Sequence, residues 1–267
     1  MTTITVAPSP EAAAARRAPS VLRDTLIMSK RNLRRISRTP QLVAAASFLP
    51  ISFTLMCRWV FGRSVHIPSQ SYVDFLIPAM LLLAPLFGGT TAIAMAEDMA
   101  GGMIERFRSL PIARSAVLAG RTVADTARGA LVVVLVLGVG ALLGFRFHNG
   151  FLPGLAAFGL ILAFSFAISW EMAWIGMTVK DAQSASVAGF VPIFILTFAG
   201  GSLVPVGTLP GWLQAFAHVQ PVSVTITTVR ALTEGGAIYH SLWQSLAWIV
   251  GILAVFITLT VRRYRNV

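Results

Sequence analysis

GGMIERFRSLPIARSAVLAGR, residues 101–121, interrupts a chain otherwise dominated by long apolar runs. It gathers Glu105, Arg106, Arg108, Arg114 and Arg121 around Phe107, Leu110 and Pro111. Of the 267 residues, 56% are hydrophobic and 12% charged, with a mean hydropathy of +0.77. A soluble domain is nearer a quarter charged. The chain therefore reads as an integral membrane protein, with one membrane domain rather than two soluble ones.

Outward from this stretch, runs of about 20 apolar residues, enough to cross a bilayer, recur near 41–61, 72–96, 119–144, 152–177, 185–204 and 241–261. They predict six transmembrane helices and an all-α fold. The third opens on Arg121, Asp125 and Arg128 and turns cleanly apolar at Ala130. Residues 1–20 are rich in Ala, Pro, Thr and Ser without an apolar core, and read as a disordered cytosolic tail rather than a signal peptide. Residues 21–267 form the membrane domain. It begins with VLRDTLIMSKRNLRRISR, where Leu22, Leu26, Leu33 and Ile36 share one helical face and Arg23, Lys30, Arg31, Arg34, Arg35 and Arg38 fill the others. Such a helix suits the inner leaflet surface.

Charge placement orients the chain. With an inner N-terminus, seventeen of the 21 Lys and Arg residues fall on the inner side, leaving Arg58, Arg63, Arg146 and Arg230 outside. That asymmetry predicts two cytosolic termini in a multi-pass plasma or inner membrane protein. It also accounts for the net charge of +11, so nucleic acid is not expected as a partner. Between the fifth and sixth spans, LVPVGTLPGWLQAFAHVQPVSVTITTVRALTEGG is too broken by Pro205, Pro210 and Pro221 to cross, yet too apolar for a plain loop. It predicts an outer-leaflet helical hairpin with helices near 211–219 and 222–233, packed on the bundle.

Catalytic chemistry is hard to find. Lys30 and Lys180 are the only lysines and neither follows a glycine, which excludes a Walker A phosphate loop. Cys57 is the only cysteine, and His66, His148, His218 and His240 are scattered without metal-ligand spacing. No catalytic, cofactor or metal residue is assigned. Intramembrane charges are costly and point to function or pairing. Asp125, Arg128 and Glu171 are the candidates, with Glu171 about 9 Å inside its span at helical rise. A structural ion pair of Glu171 with Arg128 or Arg121 is the expected reading, and a polar spot on a substrate path or proton relay is the alternative. Phe190, Phe194 and Phe198 form a stripe at i, i+4 and i+8, suited to helix packing or, alternatively, to substrate contact.

At this point the opening stretch, extended to EDMAGGMIERFRSLPIARSAVLAGRTVADTAR, resembles the signature of type-2 ABC transporter permeases, and more closely their daunorubicin-resistance branch. Glu97, Gly102, Glu105, Arg106, Phe107, Pro111, Gly120 and Arg121 match it. The hairpin block is similar too, with Pro221, Arg230, Leu232 and Gly235 in place and Gln220 where many members carry Asn. The resemblance spans residues 22–265. It implies a type V exporter-like membrane subunit that moves an amphipathic or hydrophobic compound (drug, antibiotic or lipid) outward. It implies a second permease copy, identical or paralogous, and two separate ATP-binding subunits that carry the ATP and Mg, with no cofactor in this chain. The amphipathic segment would be the connecting helix. Glu105, Arg106, Phe107, Arg108, Leu110 and Pro111 would form the coupling helix that enters a groove on the ATPase. A substrate path would then run between spans two and five at the interface between copies. A polysaccharide or glycolipid exporter, or an ATP-independent carrier or channel, are the alternatives.

Overall fold

The computed structural model describes residues 40–62, 64, 67, 70–86, 90–101, 114–179 and 181–266. The expected tail, the connecting helix and the coupling residues Glu105, Arg106, Phe107, Arg108, Leu110 and Pro111 lie outside the described residues. Among the described residues there are nine α-helices and no strand. They are α1 (Pro40–Phe61), α2 (Tyr72–Leu83), α3 (Thr90–Ala100), α4 (Arg114–Leu142), α5 (Phe151–Thr178), α6 (Ala182–Ala199), α7 (Gly211–Ala217), α8 (Pro221–Glu234) and α9 (Tyr239–Asn266). A 3-10 turn at Val206–Thr208 precedes α7. Among the described residues, five stretches are long and apolar enough to cross a membrane: Val43–Phe61, Leu118–Leu142, Phe151–Thr178, Ala182–Ala199 and Tyr239–Arg263.

Local chemistry sets the helix starts. Ser71 and Asp181 accept hydrogen bonds from Val73 N and Ser184 N, so each caps orphan donors of the helix that follows. Gln220 does the same for Val222 N, with Pro221 at the first helical position, where its missing N–H costs nothing. Inside the spans, Ser47, Thr54, Ser169 and Thr197 each donate to the carbonyl four residues back. Their hydroxyls thus need no partner from lipid.

The continuous span expected over 72–96 is two helices. Pro85 has no N–H to extend the ladder and its ring clashes with the carbonyl four residues earlier. Ala84 still donates to Met80 O, but Leu86 turns back on Leu83 O. α2 is therefore 12 residues long, about 18 Å at 1.5 Å per residue, against a hydrocarbon core of about 30 Å. All of its residues are buried, because α1, α4, α5 and α8 surround it. Within span two, exposed side chains occur instead on α3, at Glu97 and Ala100. The expected fifth span is also shorter: α6 ends at Ala199, and residues 200–203 form a turn.

α5 is the central helix and contacts α2, α3, α4, α6, α8 and α9. Phe164, Ile161 and Ala167 join Leu76, Leu82, Val133 and Val136 in the main core. A smaller cluster of Met95, Leu118, Trp170 and Met177 closes the end near residue 100. A Cβ on Gly176 would lie 2.3 Å from Ala92 O, so glycine is what lets the backbones of α5 and α3 meet. α1, α6 and α9 turn large apolar side chains outward, among them Trp59, Ile195 and Val250.

Candidate functional site

Chain continuity puts the ends of α3, α5 and α9 and the starts of α4 and α6 at one end of the bundle. This is the end at which residues 102–113 connect α3 to α4. Its flanks are fixed: Asp98 on α3 pairs with Arg121 on α4, and Met95, Leu118, Trp170 and Met177 pack beneath. Thr260 on α9 donates to Trp170 O at 3.4 Å. The pairing of Arg121 with Asp98 differs from the expectation that Glu171 would meet Arg121 or Arg128.

Arg128 instead has Asp125 as its acid, at 3.9 Å and three residues away. The i, i+3 spacing puts both on one helix face, and Thr91 on α3 donates to Asp125 at 2.7 Å. Asp125 and Arg128 thus come together, lining a small recess with Pro85, Leu86, Ser165 and Ser169 between α3, α4 and α5. The cavity of about 20 Å³ has room for a single water. Glu171 lies half-buried on α5 and forms no ion pair among the described residues.

The α6 stripe is intact. Phe190 and Phe194 have ring centroids 5.3 Å apart, and Phe194 and Phe198 4.5 Å. The three rings are exposed within this chain, and Phe53 on α1 meets Phe198 edge-on.

The opposite end is built around the α7–α8 hairpin. Arg230 on α8 is half-buried, with its guanidinium 3.5 Å from the centroid of the Phe75 ring. It donates to Phe75 O at 2.9 Å, Ser202 O at 2.8 Å and Gly201 O at 3.4 Å. Burial pushes this guanidinium down to about 9, so it remains a cation at neutral pH. The turn it grips is held again by Tyr72 through Leu203 O and by Ser223 through Gly200 O. Gly201 adopts a φ of +66° there, a left-handed conformation that glycine adopts without strain. Gln220, the departure from Asn, donates to Leu196 O at 3.1 Å while capping α8. Trp248 on α9 donates to Val219 O, and Thr228 meets Ser245 at 2.9 Å.

At the same end, His148 Nδ1 lies 2.8 Å from Glu234 Oε2, beside Asp74. Burial, then the charge of Asp74, pushes the Glu234 carboxyl up, and His148 opposes this. Sequence reasoning missed this group and the role of Arg230. Arg230 counted as an outer cation, and nothing along the chain marks Phe75, Gly201 and Ser202 as its receivers. The TEGG ending that places Glu234 and the polar FHNG stretch that places His148 are each unremarkable alone.

The model of the ABC-2 type transporter family matches residues 23–233. The chain is 31% identical over 219 residues to the daunorubicin resistance ABC transporter permease protein DrrB1 of Streptomyces coeruleorubidus, covering 82% of this chain and 77% of that one. It is also 31% identical over 235 residues to the probable doxorubicin resistance ABC transporter permease protein DrrC of Mycobacterium tuberculosis, covering 86% and 84%. The first signature block lies wholly within the matched length, and the second does so up to residue 233. An apolar helical bundle, spans of bilayer length and a family match over most of the chain converge on one assignment: the chain belongs to the ABC-2 type transporter family, as a membrane-spanning permease.

Proposed function

We propose that this permease is the membrane half of an ATP-driven exporter that moves an amphipathic or hydrophobic drug-like compound outward. The observation that carries the reading is similarity to drug-resistance permeases across more than four-fifths of the chain. ATP hydrolysis would reside on a separate ATP-binding subunit, two copies per assembly, since no phosphate loop can be built here. These subunits would dock on residues 102–113, between the paired ends of α3 and α4, and the permease would act with a second permease copy. α2 and α3 together would make the sixth crossing, with both termini and the docking face cytosolic and the hairpin in the outer leaflet.

Co-expression with its ATP-binding subunit in a drug-sensitive bacterium tests the reading. Anthracycline accumulation should fall only when both subunits are present and the ATPase retains its phosphate-loop lysine. Reduced accumulation with the permease alone would identify an ATP-independent carrier. The crossing count has its own test in cells lacking Cys57. Pro10→Cys and Asn266→Cys should resist an impermeant thiol reagent, and Asn149→Cys should react. Labelling of either terminus would remove the six-span topology.

A further inference from the structure

Asp74, His148 and Glu234 come from three distant parts of the chain, the first turn of α2, the α4–α5 loop and the last residue of α8. One ligand-capable atom from each lies within 4.8 Å of the other two. Asp74 is only 8% exposed, and its Oδ1 is buried without a hydrogen-bond partner. Glu234 Oε1 is buried and unpartnered as well. A buried acceptor without a donor costs about 1–3 kcal/mol, more when it is charged, and here there are two side by side. The nearby cation does not relieve them. Arg230, one helical turn before Glu234, directs its guanidinium to Phe75, Gly201 and Ser202, and no Lys or Arg forms an ion pair with either acid among the described residues.

The backbone holds the third group in place. His148 N and Asn149 N both donate to Thr233 O, and the Asn149 amide donates to Leu232 O. The α4–α5 loop is thereby pinned to the end of α8, and the imidazole sits at the open side of the two acids.

We propose that Asp74, His148 and Glu234 form a zinc-class divalent cation site at the hairpin end of the bundle. One imidazole nitrogen and two carboxylates are a donor set that zinc accepts, with a fourth position left to water. The imidazole disfavours calcium and magnesium, which take oxygen ligands. Ligand–metal distances of about 2.0–2.2 Å require the three atoms to close slightly, and half-exposed His148 has the freedom to do so. A bound ion would tie α2, the α4–α5 loop and α8 together, fastening the hairpin one turn beyond Arg230 on the same helix face.

The test uses the full chain, purified in detergent without a histidine tag, titrated with zinc chloride against a competing zinc indicator. One saturable ion per chain is expected, persisting in millimolar magnesium and calcium, and zinc should raise the melting temperature. Asp74→Asn and His148→Ala should each weaken binding by about 100-fold or more, beyond the roughly 10–100-fold that supporting groups contribute, and should abolish the zinc-dependent rise in melting temperature. His148 is half-exposed and its main-chain bond to Thr233 survives truncation, so His148→Ala decides the matter if Asp74→Asn fails to fold. His218→Ala and His240→Ala should leave binding unchanged. Absence of saturable binding, or equal binding by His148→Ala and the unaltered chain, would overturn the proposal.

Discussion

At the hairpin end, Tyr72, Gln220, Ser223, Arg230 and Trp248 each reach a main-chain carbonyl of a different element. At the other end, the described polar contacts between elements include the Asp98–Arg121 pair and its neighbours Thr91–Asp125 and Thr260–Trp170. The first end is cross-linked through groups that, apart from the exposed Trp248–Val219 contact, cannot move without leaving a carbonyl inside the protein unsatisfied. The second combines apolar packing with a partly exposed ion pair, a kind of contact that can be remade at small cost. Such a division suits a machine that must receive movement at one end while keeping a fixed frame at the other.

Arg230→Ala should produce the largest effect. It strands carbonyls of Phe75, Gly201 and Ser202, and at about 1–3 kcal/mol for a buried unsatisfied group a loss of about 3 kcal/mol or more is expected in denaturation of the purified permease. Arg230→Lys should recover only part, because an ammonium cannot reproduce the planar fork. A variant as stable as the parent would erase the contrast between the ends. Phe107→Ala comes next and should touch assembly, not folding. Loss of an interface anchor costs about 2 kcal/mol or more, so co-purification with the ATP-binding subunit should fall by about 30-fold and efflux should disappear at unchanged melting temperature. Normal assembly and efflux would leave residues 102–113 as no more than a charged loop.

Gly176→Ala sharpens the comparison within the packed seam. Its methyl would meet Ala92 O at 2.3 Å, and overpacking of this kind costs on the order of 1 kcal/mol or more, read as a lower melting temperature. Asp98→Asn should be the mildest. The pair is about a quarter exposed, so less than about 1 kcal/mol is expected, reduced further by salt. A larger loss would mean that the cation-rich end is as firmly fastened as the hairpin end.

Hydropathy made the spans legible because it averages over about 20 residues, and for the same reason it ran α2 and α3 together across Pro85. The proline-punctuated hairpin was readable too, since Pro210 and Pro221 mark helix starts by a local rule. Partners across the fold were not. Arg128 sits three residues from Asp125, a spacing visible along one helix, yet the more distant Glu171 was preferred as its acid. Arg121 and Asp98 are separated by the connection itself, and Asp74, His148 and Glu234 by whole helices. Their proximity is a product of packing, which leaves no periodicity to read. The aromatic spacing of α6 was visible, whereas its outward orientation follows from which neighbours α6 lacks.

The receivers of Arg230, at residues 75, 201 and 202, all precede it in the chain. Domains and their parts emerge from the ribosome N-terminal first, so the socket exists before the plug is made. An arginine released into a bilayer with no partner would cost several kcal/mol. With its receivers made first, Arg230 can close the hairpin end as its keystone, bound to α2 and to the turn after α6 as soon as it is laid down.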